Sequence, residues 1–287
     1  MSTPEPGIYP DVTMADYLVW PYASNSALTR MLRSPAHAKA YVEEPKPDTP
    51  ALLFGRAVHV AILEPERFGD LFVSEPELDP ERANPRATKA YKEAVAALEA
   101  TGKDVLRAPD KEAITAVKAA ALAHPKLRKV IETTGTAELS LVWDDPATGV
   151  RCKGRLDWHT PTHAGGAILD LKTTEDASPG VFERTIYRYG YHRQGALYLR
   201  AARELDLPSR HYTIAALEKQ RPYGVMLYRL LDEAIQLGET QLDFALPRWA
   251  ECERTGQWPG YTDDVVDIGV PKWADAQVER DLEEVTI

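Results

Sequence analysis

The sequence predicts an α/β fold, a central mixed sheet flanked by helices, and two observations carry that expectation. Apolar residues recur with helical spacing up to about residue 131, then switch to strand-like alternation from 137 onward. Helical patterns also follow and interrupt the strands, so helices are at hand to flank a sheet. A chain of 287 residues suits one large domain or two small ones, and no internal repeat divides it.

Each element has a local reason. The run "SNSALTRMLRSPAHAKAYV" (24–42) offers Ser24 or Asn25 as an N-cap, and Pro35 interrupts its helical pattern. After a Pro-rich joint, "TPALLFGRAVHVAILEPERF" (49–68) reads as a helix capped by Thr49, with Pro50 in its first turn. Helices are expected near 86–101 and 109–131, the second rich in alanine, the best helix former. "AELSLVW" (137–143), the turn "DDPATG" (144–149) and "VRCKGRLDW" (150–158) read as two strands joined by a hairpin-like loop. "AILDLKTT" (167–174) is a third strand. Helices near 179–188 and 191–204, strands near 210–217 and 224–230, and a helix near 232–256 complete the unit. The expectation is a single domain over 1–274 and an acidic C-terminal tail over 275–287.

Composition bounds the function. No run of roughly eighteen apolar residues suggests a membrane span. The N-terminus "MSTPEPGIYPD" has neither the basic nor the apolar segment of a secretory signal, so the expected location is the cytoplasm, with no membrane partner. Cys152 and Cys252 are too few for a zinc ribbon or a four-cysteine iron–sulfur cluster within one chain, and read as reduced thiols. The net charge of −10 argues at first against nucleic acid, whose phosphates are met by Lys and Arg. The charge is uneven, however. From Pro259 to Ile287, eight acids against Lys272 and Arg280 leave −6, so the rest of the chain carries −4. Within that remainder "RCKGR" (151–155) and "ERTIYRYGYHRQGALYLRAAR" (183–203) are locally basic with interleaved tyrosines. The pattern is compatible with phosphate binding, and equally with a solvated helix face.

The third strand raises the chemical question. Residues two apart on a strand share a face, so Asp170 and Lys172 project together while Leu169 and Leu171 point the other way. One reading is an ion pair at a sheet margin. The other adds Asp157 from the preceding strand: two carboxylates and an amine at one sheet edge. Carboxylate oxygens are preferred ligands of Mg²⁺ and Mn²⁺, which polarise phosphodiester oxygens and activate water. His59 lies in "LLFGRAVHVAIL" (52–63), apolar nearly all round and therefore expected to be buried, with Gly55 one turn earlier leaving space. A buried imidazole of this kind is commonly satisfied by a carbonyl. Gln194 and Tyr198 stand at i and i+4 on one helical face.

Together these residues resemble a known family. His59 in "GRAVH", Asp157 in "GRLD", Asp170 and Lys172 in "LDLKTT", and Gln194 and Tyr198 in "QGALY" follow the order of the RecB-like branch of the PD-(D/E)XK nucleases, whose core is restriction-endonuclease-like. The stretches "GIYPDVTMADY", "SNSAL", "SPAHAKAY", "FGRAVHVAILEPERF", "TGKDVL", "WDDPATGVRCKGRLD", "RYGYHRQGALY" and "GVPKWA" narrow the resemblance to the RecE-type exonucleases (exodeoxyribonuclease VIII). These landmarks run from about Gly7 to Ala274; the acidic residues after Ala274 match nothing in the pattern.

The resemblance implies a Mg²⁺-dependent exonuclease, for which Mn²⁺ can substitute, that degrades linear duplex DNA from 5′ ends and leaves 3′ single-stranded tails. It further implies a toroidal homo-oligomer, with a tetramer favoured, and a single-strand annealing protein as partner in phage or prophage recombination. Carried over residue by residue, Asp157, Asp170 and His59 would be metal ligands, with the Leu171 carbonyl completing the set. Lys172 would handle the attacking water, and Gln194 and Tyr198 would position Lys172 or the scissile phosphate. Glu138 matches an acidic position that serves a second metal; alternatively it is a solvent-facing strand residue. Ser24, Ser26 and Arg193 are candidates for DNA phosphate, the two serines being at a helix N-terminus where plain capping is the competing role. The other functional readings are a structure- or site-specific endonuclease on the same core, and a DNA-end-binding module whose site is no longer used.

Overall fold

The computed structural model of the chain describes residues 3–44, 49–78, 81–161 and 165–285. Its N-terminal part holds β1 (Gly7–Tyr9), α1 (Met14–Val19), α2 (Asn25–Met31), α3 (Pro35–Glu43) and α4 (Pro50–Leu63). The Ser24 side chain caps α2, Ser34 caps α3 ahead of Pro35, and Thr49 caps α4 ahead of Pro50, each accepting an otherwise unpaired backbone N–H. Next come α5 (Phe68–Leu71), β2 (Phe72–Ser74), α6 (Lys89–Glu99), β3 (Asp104–Leu106), α7 (Ala108–Ala123) and α8 (Pro125–Ile131). The single helix expected over 109–131 is two, because Pro125 cannot continue α7 and instead opens α8.

The central strands are β4 (Thr136–Asp144), β5 (Arg151–Thr160), β6 (Ala167–Thr174), β7 (His211–Glu218) and β8 (Val225–Arg229), with α9 (Pro179–Tyr189) and α10 (Tyr191–Glu204) crossing from β6 to β7. The chain ends with α11 (Asp232–Thr255) and α12 (Trp273–Val285). The sheet order is β1-β4-β5-β6-β7-β8, and every pair is antiparallel except β6 with β7. This is the mixed α/β architecture that the sequence predicts. The small β2–β3 parallel pair and β1, each three residues long, were beyond the reach of periodicity. The expected acidic tail is helical as far as Val285; its last two residues lie outside the described set.

Two cores cover the two faces of the sheet. One packs α2, α3, α10 and α11 on residues such as Trp143, Ile168 and Ile214; the other packs α4, α7 and α8 on Leu169, Leu171 and Leu217. Strand β6 therefore alternates as its sequence demands, and Asp170 lies on the first face, beneath α10. Among the described residues no helix is long and apolar enough to cross a membrane.

Candidate active site

The site lies where the ladder of the sheet opens. Strands β5 and β6 pair from Thr160–Ala167 to Trp158–Leu169 and then part. At the next position the Asp157 Oδ2, rather than a backbone carbonyl, accepts the Leu171 N–H at 2.7 Å. On the other side β4 and β5 pair throughout except at Glu138 and Asp157, which stand opposite each other. Glu138 has φ +51, a left-handed conformation that costs a non-glycine residue of order 1–3 kcal/mol. Its effect shows in the packing: Ala137 lies against the second core and Leu139 in the first, although two residues apart they should share a face.

His59 reaches this opening from α4. Its Nε2 lies 3.0 Å from the Leu171 carbonyl oxygen, while Nδ1 is 3.6 Å from Asp157 Oδ2 and 3.9 Å from Glu138 Oε1. The Nε2 contact needs a proton on that nitrogen, which turns Nδ1 toward two carboxylates. One ligand atom from each of His59, Glu138 and Asp157 falls within 4.8 Å of the others. Burial pushes the Asp157 pKa up to about 7; Asp170 and Glu138 add to the rise, and His59 and Lys172 oppose it. Gly55 has room beside it: a Cβ there would come no closer than 3.8 Å to Thr173 Oγ1.

Asp170 is fully buried beside this cluster. Gln194 Nε2 donates to its Oδ1 at 3.0 Å and contacts the Tyr198 hydroxyl at 3.3 Å. Lys172 Nζ approaches Asp170 Oδ2 to 2.6 Å as an ion pair, yet that oxygen receives no aligned hydrogen bond. Burial alone would lower the Lys172 pKa, but Asp170 and Asp157 overcome it and hold the ammonium protonated. The Tyr191 ring lies 4.9 Å below that ammonium. Tyr198 is likewise kept as the neutral phenol by burial, and its ring packs where a Cβ at Gly154 would approach to 2.8 Å.

These groups open into a cleft of about 680 Å³ whose lining includes His59, Glu138, Asp157, Gln194 and Tyr198, with Met14 and Leu18 of α1 and Leu52 of α4 as apolar wall. Asp170 and Lys172 stand behind that lining. The donor set suits a divalent cation: two carboxylates and an imidazole converge, with the fully buried Asp170 carboxylate beside them.

Other expected contacts fall differently. Ser24 is occupied as the α2 cap, Ser26 is exposed in the first turn, and neither lines the cleft. Arg193 is buried and donates to Asn25 Oδ1, Thr29 Oγ1 and Gln241 Oε1, so it ties α10 to α2 and α11 instead of facing a phosphate, and burial lowers its pKa to about 10. The basic string 151–155 is also internal. Arg151 pairs with Asp144 and Glu5, Lys153 donates to the carbonyls of Tyr17, Leu18 and Trp20, and Arg155 pairs with Glu138 at 2.6 Å. Arg151 and Arg155 neutralise the protein's own acids and Lys153 anchors α1, so the phosphate-binding expectation fails for 151–155, while Arg184 and Arg188 of the second basic stretch are exposed on α9. Arg155 itself was missed as a site residue, although its place two before Asp157 on one strand face was the available signal.

The fold is shared with a solved protein. The crystal structure named "Putative exonuclease" from Eubacterium rectale has a TM-score of 0.58 at 15% sequence identity, covering 92% of this chain and 97% of that one. A second solved structure, named SSO0001, covers 81% of this chain and 87% of its own at 13% identity, but its TM-score of 0.28 carries no argument. No curated protein matches the sequence. A family model described as a PDDEXK-like domain of unknown function (DUF3799) matches residues 24–266. That match spans every residue of the cleft from Leu52 to Tyr198 and most of the chain, which belongs to this PDDEXK-like family.

Proposed function

We propose that the protein is a divalent-cation-dependent exodeoxyribonuclease that degrades linear double-stranded DNA from its 5′ ends and leaves 3′ single-stranded tails for homologous recombination. The observation that supports this reading best is the convergence of His59, Glu138 and Asp157 at an opened sheet edge, beside the Asp170–Lys172 pair. The matched family supports a PDDEXK-like nuclease, and the RecE-like landmarks of the sequence supply the choice of exonuclease, the Mg²⁺, the toroidal homo-oligomer and the annealing-protein partner.

His59, Glu138 and Asp157 would hold the cation, with Asp170 and the Leu171 carbonyl next to them. Mg²⁺ or Mn²⁺ there supplies Lewis-acid polarisation of a phosphodiester oxygen and lowers the pKa of water. The protein's own part follows from the geometry. Lys172 would donate a hydrogen bond to orient the attacking water and offset charge growing on the phosphate. Gln194 fixes the Asp170 carboxylate that in turn aims Lys172, and Tyr198 supports Gln194. The apolar wall of α1 and α4 narrows water access to the opening.

The test compares linear duplex, covalently closed circular duplex, and linear duplex with only its 5′ or only its 3′ ends blocked, each with Mg²⁺, Mn²⁺ or EDTA. The expected result is mononucleotide release from the linear duplex, loss on blocking 5′ ends, none from the circle and none in EDTA. Nicking of the circle would assign an endonuclease, and binding without hydrolysis an unused end-binding module.

A further inference from the structure

The segment that follows α11 is an arm with an unusual surface. It leaves α11 at Thr255, passes Pro259 and Tyr261, and runs through an exposed stretch to the exposed helix α12. Val265, Ile268, Val270 and Trp273 are between 68% and 97% exposed, which is far outside the habit of a soluble chain that keeps such side chains inside. On α12, Ala274, Val278 and Leu282 stand at i, i+4 and i+8, one apolar stripe bordered by Asp275 and Asp281. The arm from Pro259 carries a charge of −6.

A cavity with the opposite character lies elsewhere on the molecule. About 470 Å³ in volume, it has an apolar floor that includes Leu169 and Leu227, and a rim of Lys126, Lys129, His211 and Arg229 with no acid. All four rim residues are exposed. Among the described residues no ion pair engages the Lys126, Lys129 or Arg229 side chains, so three like charges face one apolar hollow in a chain whose total is −10.

We propose that the cavity receives the acidic arm of a second copy of this chain, with the apolar stripe of α12 on the floor and its flanking acids on the basic rim. Charge complementarity selects this occupant: −6 on the arm meets a rim of three fixed positive charges. The direction of the contact follows from the fold. The arm's root is fastened on the first face, where the Ala36 N–H donates to Pro259 O and Tyr261 packs on His37 and Arg33, whereas Leu169 and Leu227 belong to the second. Arm and cavity are different surfaces, so the contact is head-to-tail, the kind that closes into a ring when the rotation permits. It rests on the ring component of the proposed function only for that closure and needs no catalysis.

The test is charge exchange in the full chain, read as mass by sedimentation. Wild-type protein should exceed the single-chain mass of 32.0 kDa and fall toward it as salt rises from about 0.1 M to about 1 M, where the screening length shrinks from about 10 Å to about 3 Å. An arm variant (Asp275→Lys with Asp281→Lys) and a rim variant (Lys126→Glu with Lys129→Glu) should each be monomeric, with unfolding transitions unchanged because the altered residues are exposed. An equal mixture of the two should form pairs, since the unaltered acidic arm of the rim variant meets the unaltered basic rim of the arm variant. A monomeric wild type, variants that assemble normally, or a mixture that stays monomeric would each overturn the proposal. A rim variant that loses DNA affinity while its mass is unchanged would assign the cavity to nucleic acid instead. Hydrolysis is not read, so these outcomes remain decisive even if the nuclease reading fails.

Discussion

Glu138 and Asp157 face each other across β4 and β5 at the position where the backbone ladder between those strands is open. Both strands change faces there. Ala137 and Trp158 pack with the second core, while Leu139 and Leu156 pack with the first. The left-handed Glu138 and the side-chain acceptance of the Leu171 N–H by Asp157 are two parts of one local device. It turns a continuous sheet into an edge and leaves two carboxylates pointing at one imidazole.

The first consequence is a stability cost at Asp157. Its folded-state pKa of about 7 lies above the ordinary carboxylate value, so the folded protein holds that proton more tightly than the unfolded chain does. Stability of the metal-free protein should therefore fall as pH rises from about 4 to about 7. At about pH 8, Asp157→Asn should be more stable than wild type by about 1–3 kcal/mol in EDTA, because the amide oxygen still accepts the Leu171 N–H without the buried charge. Urea unfolding measures this, and a less stable variant would show that Asp157 is a net stabiliser.

The same proton competes with the cation. Cation binding requires the Asp157 carboxylate, which is mostly protonated below about pH 7. Mn²⁺ affinity measured by calorimetry should rise about tenfold between about pH 6 and about pH 8 in wild type. In Asp157→Asn that pH dependence should disappear together with most of the affinity. A flat profile in wild type would remove Asp157 from the ligand set.

What was legible in the sequence was local. Caps and prolines announced α2, α3 and α4, and strand period two put Asp170 and Lys172 on one face before any coordinates. The opening of the ladder was not legible, because it depends on register between three strands and on a positive φ at Glu138 that residue type does not signal. Arg155 was missed and Arg193 misread for a related reason. A string of cations shows its charge in the sequence, but whether Glu138 or Gln241 already waits across the fold is decided by tertiary pairing.

Lys172 should separate chemistry from binding. Lys172→Ala removes the ammonium that orients water and offsets phosphate charge, so turnover should fall by about 10²–10³ with little change in KM. It also strands the buried Asp170 carboxylate, which should destabilise the metal-free protein by about 3–5 kcal/mol. Mn²⁺ should therefore raise the Tm of this variant more than it raises that of wild type. Normal turnover would leave Lys172 as a structural partner of Asp170.

The positioning chain behind Asp170 gives the last prediction, at a residue that touches no reacting group. Gly154 on β5 lies against the Tyr198 ring, and a Cβ there would come within 2.8 Å of it. Gly154→Ala must push the ring aside, at a cost of about 1–3 kcal/mol for an overpacked core. Displacing Tyr198 removes the support of Gln194 and so loosens the Asp170 carboxylate. The expected outcome is a lower Tm together with a fall of about tenfold to a hundredfold in kcat, and unchanged Mn²⁺ binding to the His59–Glu138–Asp157 cluster. Tyr198→Phe separates the two effects. It keeps the ring and the packing but loses the 3.3 Å contact to Gln194, so its Tm should stay near that of wild type while kcat still falls. If Tyr198→Phe turns over normally, the hydroxyl has no positioning role and the Gly154→Ala defect is one of packing alone.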